Sequence, residues 1–218
     1  MAPSSLSQAE IHEVLSKCKL ECNLALVERV QTYLKLLGKW NSRMNLTAVQ
    51  HPLDVLKVLL AESFWAAVLV ENPQGPILDI GSGAGFPGLA MAVYRPELEL
   101  ILLEPRKKRA AFLAALRREM GLPGVAVWDR RLEDCVQRDF SVLPTVLTMR
   151  AVGGIMKVVT SGARFLQGDR RILLFSSVQA ATSTMEELKW IRWRPVSPIP
   201  WNKEHLILLG HVSSGCSM

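Results

Sequence analysis

Cysteine is scarce in this chain. Cys18, Cys22, Cys135 and Cys216 are the only four in 218 residues, too few and too scattered for a disulfide framework. Histidine is as rare: His12, His51, His205 and His211 show no metal-ligand spacing. Cys18-x-x-x-Cys22 lacks further ligands and reads as two helical thiols, so no metal is expected. Uninterrupted apolar runs are missing too. The most apolar stretch, residues 55–70, carries Lys57 and Glu62 and falls short of the about 20 residues a membrane span needs. The N-terminus has neither the basic start nor the apolar core of a signal peptide, so a cytoplasmic protein is expected. There is no internal repeat and no low-complexity tract. With 49% apolar and 21% charged residues the composition is that of an ordinary globular chain, which excludes disorder and collagen-like repeats.

The formal net charge of +6 is unevenly placed. Residues 1–100 hold 8 Lys/Arg against 10 Asp/Glu, residues 101–138 hold 9 against 5, and residues 150–194 hold 8 against 3. The basic excess sits in the second half, as it does on a surface that meets a polyanion. A set of solvated Arg faces accounts for the same numbers.

Residues 7–38 read as helices. Ser7 with Glu10 forms a capping box, Ile11, Val14 and Leu15 follow at helical spacing, and Leu26, Val27, Val30, Leu34 and Leu37 make a second stripe that ends near Gly38. Pro52 opens a further helix to about Val70. Residues 1–72 are thus a helical extension. The turn cluster Asn72-Pro73-Gln74-Gly75-Pro76 marks the boundary to a second unit, 73–212, with 213–218 as a tail. Strands are expected over 77–80, 98–104, 125–128, 145–149 and 171–175. A helix is expected over 106–120 on the Phe112, Leu113, Leu116, Met120 stripe, stopped by Gly121. Strand–helix alternation with short buried strands implies an α/β fold, a parallel sheet covered on both faces. Residues 190–196 and 205–209, joined through Pro198, Ile199 and Pro200, read as an antiparallel pair at one edge of a mostly parallel, seven-stranded sheet.

The most informative segment is Ile77-Leu78-Asp79-Ile80-Gly81-Ser82-Gly83-Ala84-Gly85-Phe86-Pro87-Gly88. A buried strand ends at Ile80, the chain turns through alternate glycines, and a helix begins near Pro87. Glycine permits positive φ and close approach of a ligand, and a helix start offers free N–H groups. Gly83, Gly85 and Gly88 fit the dinucleotide fingerprint Gly-x-Gly-x-x-Gly, starting three residues after the strand instead of at its end. The other register, Asp79-x-Gly81-x-Gly83-x-Gly85, resembles motif I of the S-adenosylmethionine-dependent methyltransferases, whose fold is Rossmann-like. A carboxylate repels a pyrophosphate and favours a sulfonium and an ammonium, so charge supports the second register. Glu104 ends the next strand, 19 residues after Gly85, where a carboxylate can accept both ribose hydroxyls.

Four further stretches narrow the class: Trp40-Asn41-Ser42-Arg43-Met44-Asn45-Leu46-Thr47-Ala48, Phe86-Pro87-Gly88, Lys107-Lys108-Arg109-Ala110-Ala111-Phe112-Leu113, and Thr148-Met149-Arg150-Ala151. Together they resemble the glucose-inhibited division protein B family, bacterial methyltransferases that modify guanosine N7 in small-subunit (16S) ribosomal RNA. The resemblance covers roughly residues 33–155 and continues weakly to about 209. It implies S-adenosylmethionine as cofactor, with Asp79, Gly81, Gly83, Gly85 and Phe86 at the loop, Glu104 after the second strand, and Leu132 and Glu133 at the adenine. Arg150 lies within reach of cofactor and target. It also implies ribosomal RNA or the small subunit as partner, no membrane, no metal, and a monomer. Plainer roles stand beside these: a salt bridge for Arg150, an exposed acid for Glu133, core packing for Phe86, and a turn before Pro52 for Asn45 and Thr47.

The basic run Arg106-Lys107-Lys108-Arg109 starts a helix where the macrodipole prefers acids. RNA phosphates explain such a placement, and so does a solvated face. Trp190, Trp193 and Trp201 alternate with Lys189, Arg192 and Arg194, but strand spacing turns neighbouring rings to opposite faces, which favours packing over base stacking. The implied reaction needs no general base, because guanine N7 carries a lone pair and no proton. What it needs is alignment, with reacting atoms at roughly 3–3.5 Å. N7 is out of reach in the groove of A-form RNA, so the target belongs in a loop or an open structure. Two departures stand out. The Arg-His pair the family places before Asp-Ser is Val58-Leu59 here, ahead of Glu62-Ser63, and its Leu-Lys-Gly step is replaced within Leu174-Phe175-Ser176-Ser177. A cofactor-binding RNA- or ribosome-associated protein without turnover, and a methyltransferase with another substrate, therefore stay open as alternatives.

Overall fold

A computed structural model describes residues 6–150 and 153–212; Ala151, Cys216 and the tail 213–218 lie outside the described residues. Helix α1 (Gln8–Lys17) carries the expected capping box, with Ser7 accepting from the Glu10 N–H and Glu10 accepting from Ser7. Helix α2 (Leu24–Met44) does not stop at Gly38. A single glycine costs a helix only about 1 kcal/mol, and Trp40, packed on Phe112 at 5.7 Å between centroids, draws the helix onward. The stop comes at Asn45, left-handed at φ 48°. There the Asn41 amide donates to the Thr47 carbonyl (3.1 Å) and accepts from its N–H (2.9 Å). The Trp-Asn…Met-Asn-Leu-Thr stretch is thereby a helix stop and a clamped turn.

The expected helix from Pro52 runs as α3 (Pro52–Asp54), a wide-turned segment (Val55–Leu60) and α4 (Ala61–Leu69). Over the middle segment the bonding widens to i→i+5, as where the Ala61 N–H meets the Leu56 carbonyl. Such a turn re-aims the side chains after it, and the first charged one is Glu62.

Strands β1 (Ile77–Ile80), β2 (Leu100–Leu103), β3 (Val125–Trp128), β4 (Val146–Met149) and β5 (Arg171–Ser177) are parallel. The chain order across the sheet is β3-β2-β1-β4-β5-β8-β6, with β8 (Asn202–Val212) antiparallel to β5. The sheet has eight strands, one more than expected. Its extra member, β7 (Ser197–Ile199), pairs with β8 from outside the main path. Pro198 made the segment read as a connector, yet proline is tolerated on an edge strand, where no ladder donor is required. β6 (Ile191–Trp193) and β8 form the expected antiparallel pair. Helices α5 (Gly88–Tyr94), α6 (Lys107–Glu119), α7 (Ile155–Ala163) and α8 (Val178–Glu187) complete the α/β layers; the sequence pattern had not singled out the last two.

One face of the sheet shares a single core with the N-terminal helices: Leu15, Val30, Tyr33, Leu56, Phe64, Ile77, Leu89, Leu102 and Phe112 belong to one cluster. Leu78, Ile80, Leu147, Ile172, Phe165 and Leu208 form the other face's core. The tryptophans pack. Trp190 and Trp193 lie against the second core, and Trp201 meets Trp65 edge-on at 6.0 Å.

Candidate active site

The carboxyl ends of parallel strands are where open α/β sheets bind ligands. Here β1, β2, β4 and β5 all end on one edge. After β1 the chain turns through Gly81 (φ 73°), Gly83 (φ 55°) and Gly85 (φ 94°), conformations that side-chain-bearing residues rarely adopt. The glycines divide by surroundings. A Cβ on Gly85 would lie 2.4 Å from the Tyr33 hydroxyl and one on Gly88 2.6 Å from Asp79 Oδ2, so these two are required by packing. A Cβ on Gly83 would meet only ordinary contacts, at 3.7 Å or more, so this stretch of backbone borders open space.

Glu104 stands at the loop. Its Oε2 accepts from the Gly83 N–H (3.0 Å) and its Oε1 from the Arg106 N–H (2.9 Å). Each oxygen keeps a lone pair. A glycine backbone bordering open space, beside a carboxylate with free acceptor capacity, fits a ligand that offers hydroxyl donors. Leu132 and Glu133 follow β3 in a short 3₁₀ turn, the leucine side chain buried in the second core and the glutamate exposed. Arg106, Lys107 and Lys108 are exposed at the start of α6, and the Arg109 guanidinium comes close to Gly83.

Two residues of the loop face inward instead. Asp79 has no exposed surface, and its Oδ2 accepts from the Gly88 N–H at 3.1 Å. It holds the end of the loop rather than meeting a ligand, which removes the direct contact with a sulfonium that charge suggested. Burial pushes its carboxyl up to about 7. Phe86, 8% exposed, stacks on Tyr33 at 5.3 Å, so its plainer reading as packing describes the ring. Tyr33 donates to the Ala84 carbonyl at 2.7 Å, tying α2 to the loop, and burial holds its hydroxyl protonated.

Beyond β4, Arg150 Nη2 pairs with Glu62 Oε2 at 2.8 Å, and its guanidinium lies 5.1 Å over the Phe175 ring. Glu62 is fully buried in α4. Its Oε1 also accepts from Asn202 Nδ2 (2.7 Å) and lies 3.0 Å from His205 Nδ1. Glu62, Arg150, Phe175, Ser176, Ser177 and His205 line a cleft of about 180 Å³. Burial lowers the Arg150 pKa below its ordinary value, against the opposing pull of Glu62. The sequence places Arg150 in reach of a ligand and also allows it a salt bridge; it makes the bridge and lines the cleft. His205 and Asn202 were not foreseen as site residues. The one available signal was Glu62 itself, a lone carboxylate in an apolar helix, which must have buried partners. Among the described residues no group of three His, Cys, Asp or Glu is placed to hold a metal, and no helix is long and apolar enough to cross a membrane.

Comparison with solved structures shows the fold. The chain superposes on a SAM dependent methyltransferase from Aquifex aeolicus with TM-score 0.58 and 12% identity, covering 73% of this chain and 93% of that one. A SAM-dependent O-methyltransferase from Thermotoga maritima gives TM-score 0.54 and 17% identity, over 81% of this chain and 71% of that one. Among proteins similar in sequence, the ribosomal RNA small subunit methyltransferase G of Nitrosomonas europaea is 41% identical over 109 residues, half of each chain. The protein of that name from Sorangium cellulosum is 31% identical over 184 residues, 84% of this chain and 77% of the other. The sequence model of the rRNA small subunit methyltransferase G family, also called GidB, matches residues 26–191. The chain therefore belongs to the GidB family of methyltransferases.

Proposed function

We propose that this protein transfers a methyl group from S-adenosylmethionine to guanine N7 in small-subunit ribosomal RNA, a reaction that places it in the cytoplasm. The observation that carries this reading is the edge where two sites adjoin: the glycine loop with Glu104 after β1 and β2, and the Arg150 cleft after β4 and β5. Neighbouring strands are about 4.8 Å apart, so β1 and β5, with β4 between them, are about 10 Å apart. A donor held at the first site and an acceptor at the second stand side by side.

Glu104 accepts the ribose hydroxyls, Gly81 and Gly83 let the ligand approach the backbone, and the 132–133 backbone borders the adenine. The cofactor supplies a sulfonium methyl: the N7 lone pair forms the new N–C bond while the C–S bond breaks and its electron pair stays on sulfur. No proton leaves N7, so the protein's work is alignment, and no base is required of His205 or any other side chain. Arg106, Lys107 and Lys108, exposed beside the loop, meet RNA phosphates.

The test joins a binding and a transfer measurement. By calorimetry the protein binds S-adenosylmethionine, and Glu104→Gln weakens binding by about tenfold, the scale of one charge-assisted hydrogen bond removed. With the tritiated cofactor it labels RNA in small subunits from a strain lacking the N7 mark. Binding without label would favour the non-catalytic RNA-associated alternative.

A further inference from the structure

The buried cluster around Glu62 asks for an explanation that folding alone does not give. A carboxylate without exposed surface takes a cation, an amide and an imidazole as partners, and such buried charge seldom adds net stability over apolar packing. Two of those partners, Asn202 and His205, come from β8, beyond the residues 26–191 that the family model matches. They are brought there by register: Ser177 of β5 pairs with His205 of β8, and β5 runs two residues past the expected Phe175 to make that pair. The cluster forms one wall of the cleft beside the glycine loop.

Arg150 decides what the cleft can read. Arginine commonly grips guanine through O6 and N7 together, using both terminal nitrogens. Here Nη2 is committed to Glu62, while Nη1 has no hydrogen-bond partner among the described residues. A forked grip would engage the N7 lone pair and block methylation at that atom. A single remaining donor can meet O6 and leave N7 free. The cleft, at about 180 Å³, is below the about 300–1,000 Å³ of sites for drug-sized ligands, a size for one base.

We infer that this cleft receives the methyl-accepting guanine, and that Glu62, braced by Asn202 and His205, is a positioning residue that holds Arg150 to a single donor so that N7 stays free. The inference rests on the proposed methylation and adds the acceptor pocket and its positioning device. Val58-Leu59 lacks the basic pair of the family pattern, and β8 supplies an imidazole to the adjacent carboxylate from the opposite side.

The experiment uses the full chain, tritiated S-adenosylmethionine and small subunits lacking the N7 mark, with kcat and KM for the subunit measured for Glu62→Gln, His205→Ala and His205→Asn. Cofactor affinity is measured separately by calorimetry. Glu62→Gln loses kcat by about tenfold or more while KM stays within about threefold, the pattern of an interaction that matters in the transition state. His205→Ala loses kcat by about fivefold and His205→Asn, whose amide can still donate to Glu62, recovers most of it. Cofactor affinity is unchanged in all three. Should Glu62→Gln fail to fold, the two His205 variants decide. Variants that match wild type overturn the inference alone, as does a loss that appears in KM or in cofactor affinity. A wild-type protein that binds the cofactor but labels no RNA overturns the methylation reading, and the inference with it.

Discussion

A carboxylate with no exposed surface must either find partners or keep its proton, and this chain shows both solutions. Glu62 is surrounded by Arg150, Asn202 and His205. Asp79 has the Gly88 N–H on Oδ2, while its Oδ1 has no hydrogen-bond partner among the described residues. Burial is the main reason its carboxyl rises from 3.8 to about 7. Because the folded value lies above the unfolded one, the folded chain retains a proton that the unfolded chain gives up. The stability from this group is therefore full below about pH 4 and is lost as pH rises through about 7. A shift of about 3 units corresponds to an upper limit of about 4 kcal/mol. Urea denaturation at pH 4 and pH 8 is expected to show wild type losing stability relative to Asp79→Asn, by up to that amount. Parallel pH profiles for the two proteins would contradict the assignment.

At the scale of elements, the glycine loop is held from outside the sheet. Helix α2 reaches it through Tyr33, whose hydroxyl donates to Ala84 and whose ring lies on Phe86. The space for that hydroxyl exists because residue 85 has no Cβ. Tyr33→Phe leaves the buried Ala84 carbonyl without this donor and is expected to cost about 1–2 kcal/mol in denaturant titration. Cofactor affinity should weaken with it, since the loop loses its brace. A destabilised variant with unchanged affinity would show that α2 supports the fold but not the loop. The same logic explains the wide turn over Val55–Leu60: it stands directly before Glu62 and sets the face on which that carboxylate meets β8.

Across the whole molecule, the sequence revealed the sheet more readily than the site. Buried parallel strands are short apolar runs with turn residues at both ends, so β1 and β3 were legible to the residue. The glycine spacing located the loop because positive φ restricts residue choice, and Glu104 was legible because it ends a strand. What escaped was non-local. Nothing in the sequence around His205 announces Glu62, 143 positions away; only strand register brings them together. Asp79 was legible as a loop residue but not as an inward-facing one, because strand alternation alone does not say which side the helix covers. The basic excess of the second half is likewise a property of the folded surface. Replacing Arg106, Lys107 and Lys108 together by Ala should weaken RNA binding and flatten its salt dependence. The log–log slope should fall by up to about 0.7–0.9 for each phosphate no longer neutralised. Cofactor affinity measured by calorimetry should not change. An unaltered slope would make these residues a solvated face. The central claim is a methyl group delivered to guanine N7, and strand cleavage specific for N7-methylguanosine tests it most directly. Small subunits lacking the mark, incubated with the protein and S-adenosylmethionine, should yield RNA cleaved at a guanosine. Uncleaved RNA, from a protein that binds the cofactor in the same preparation, would contradict the account.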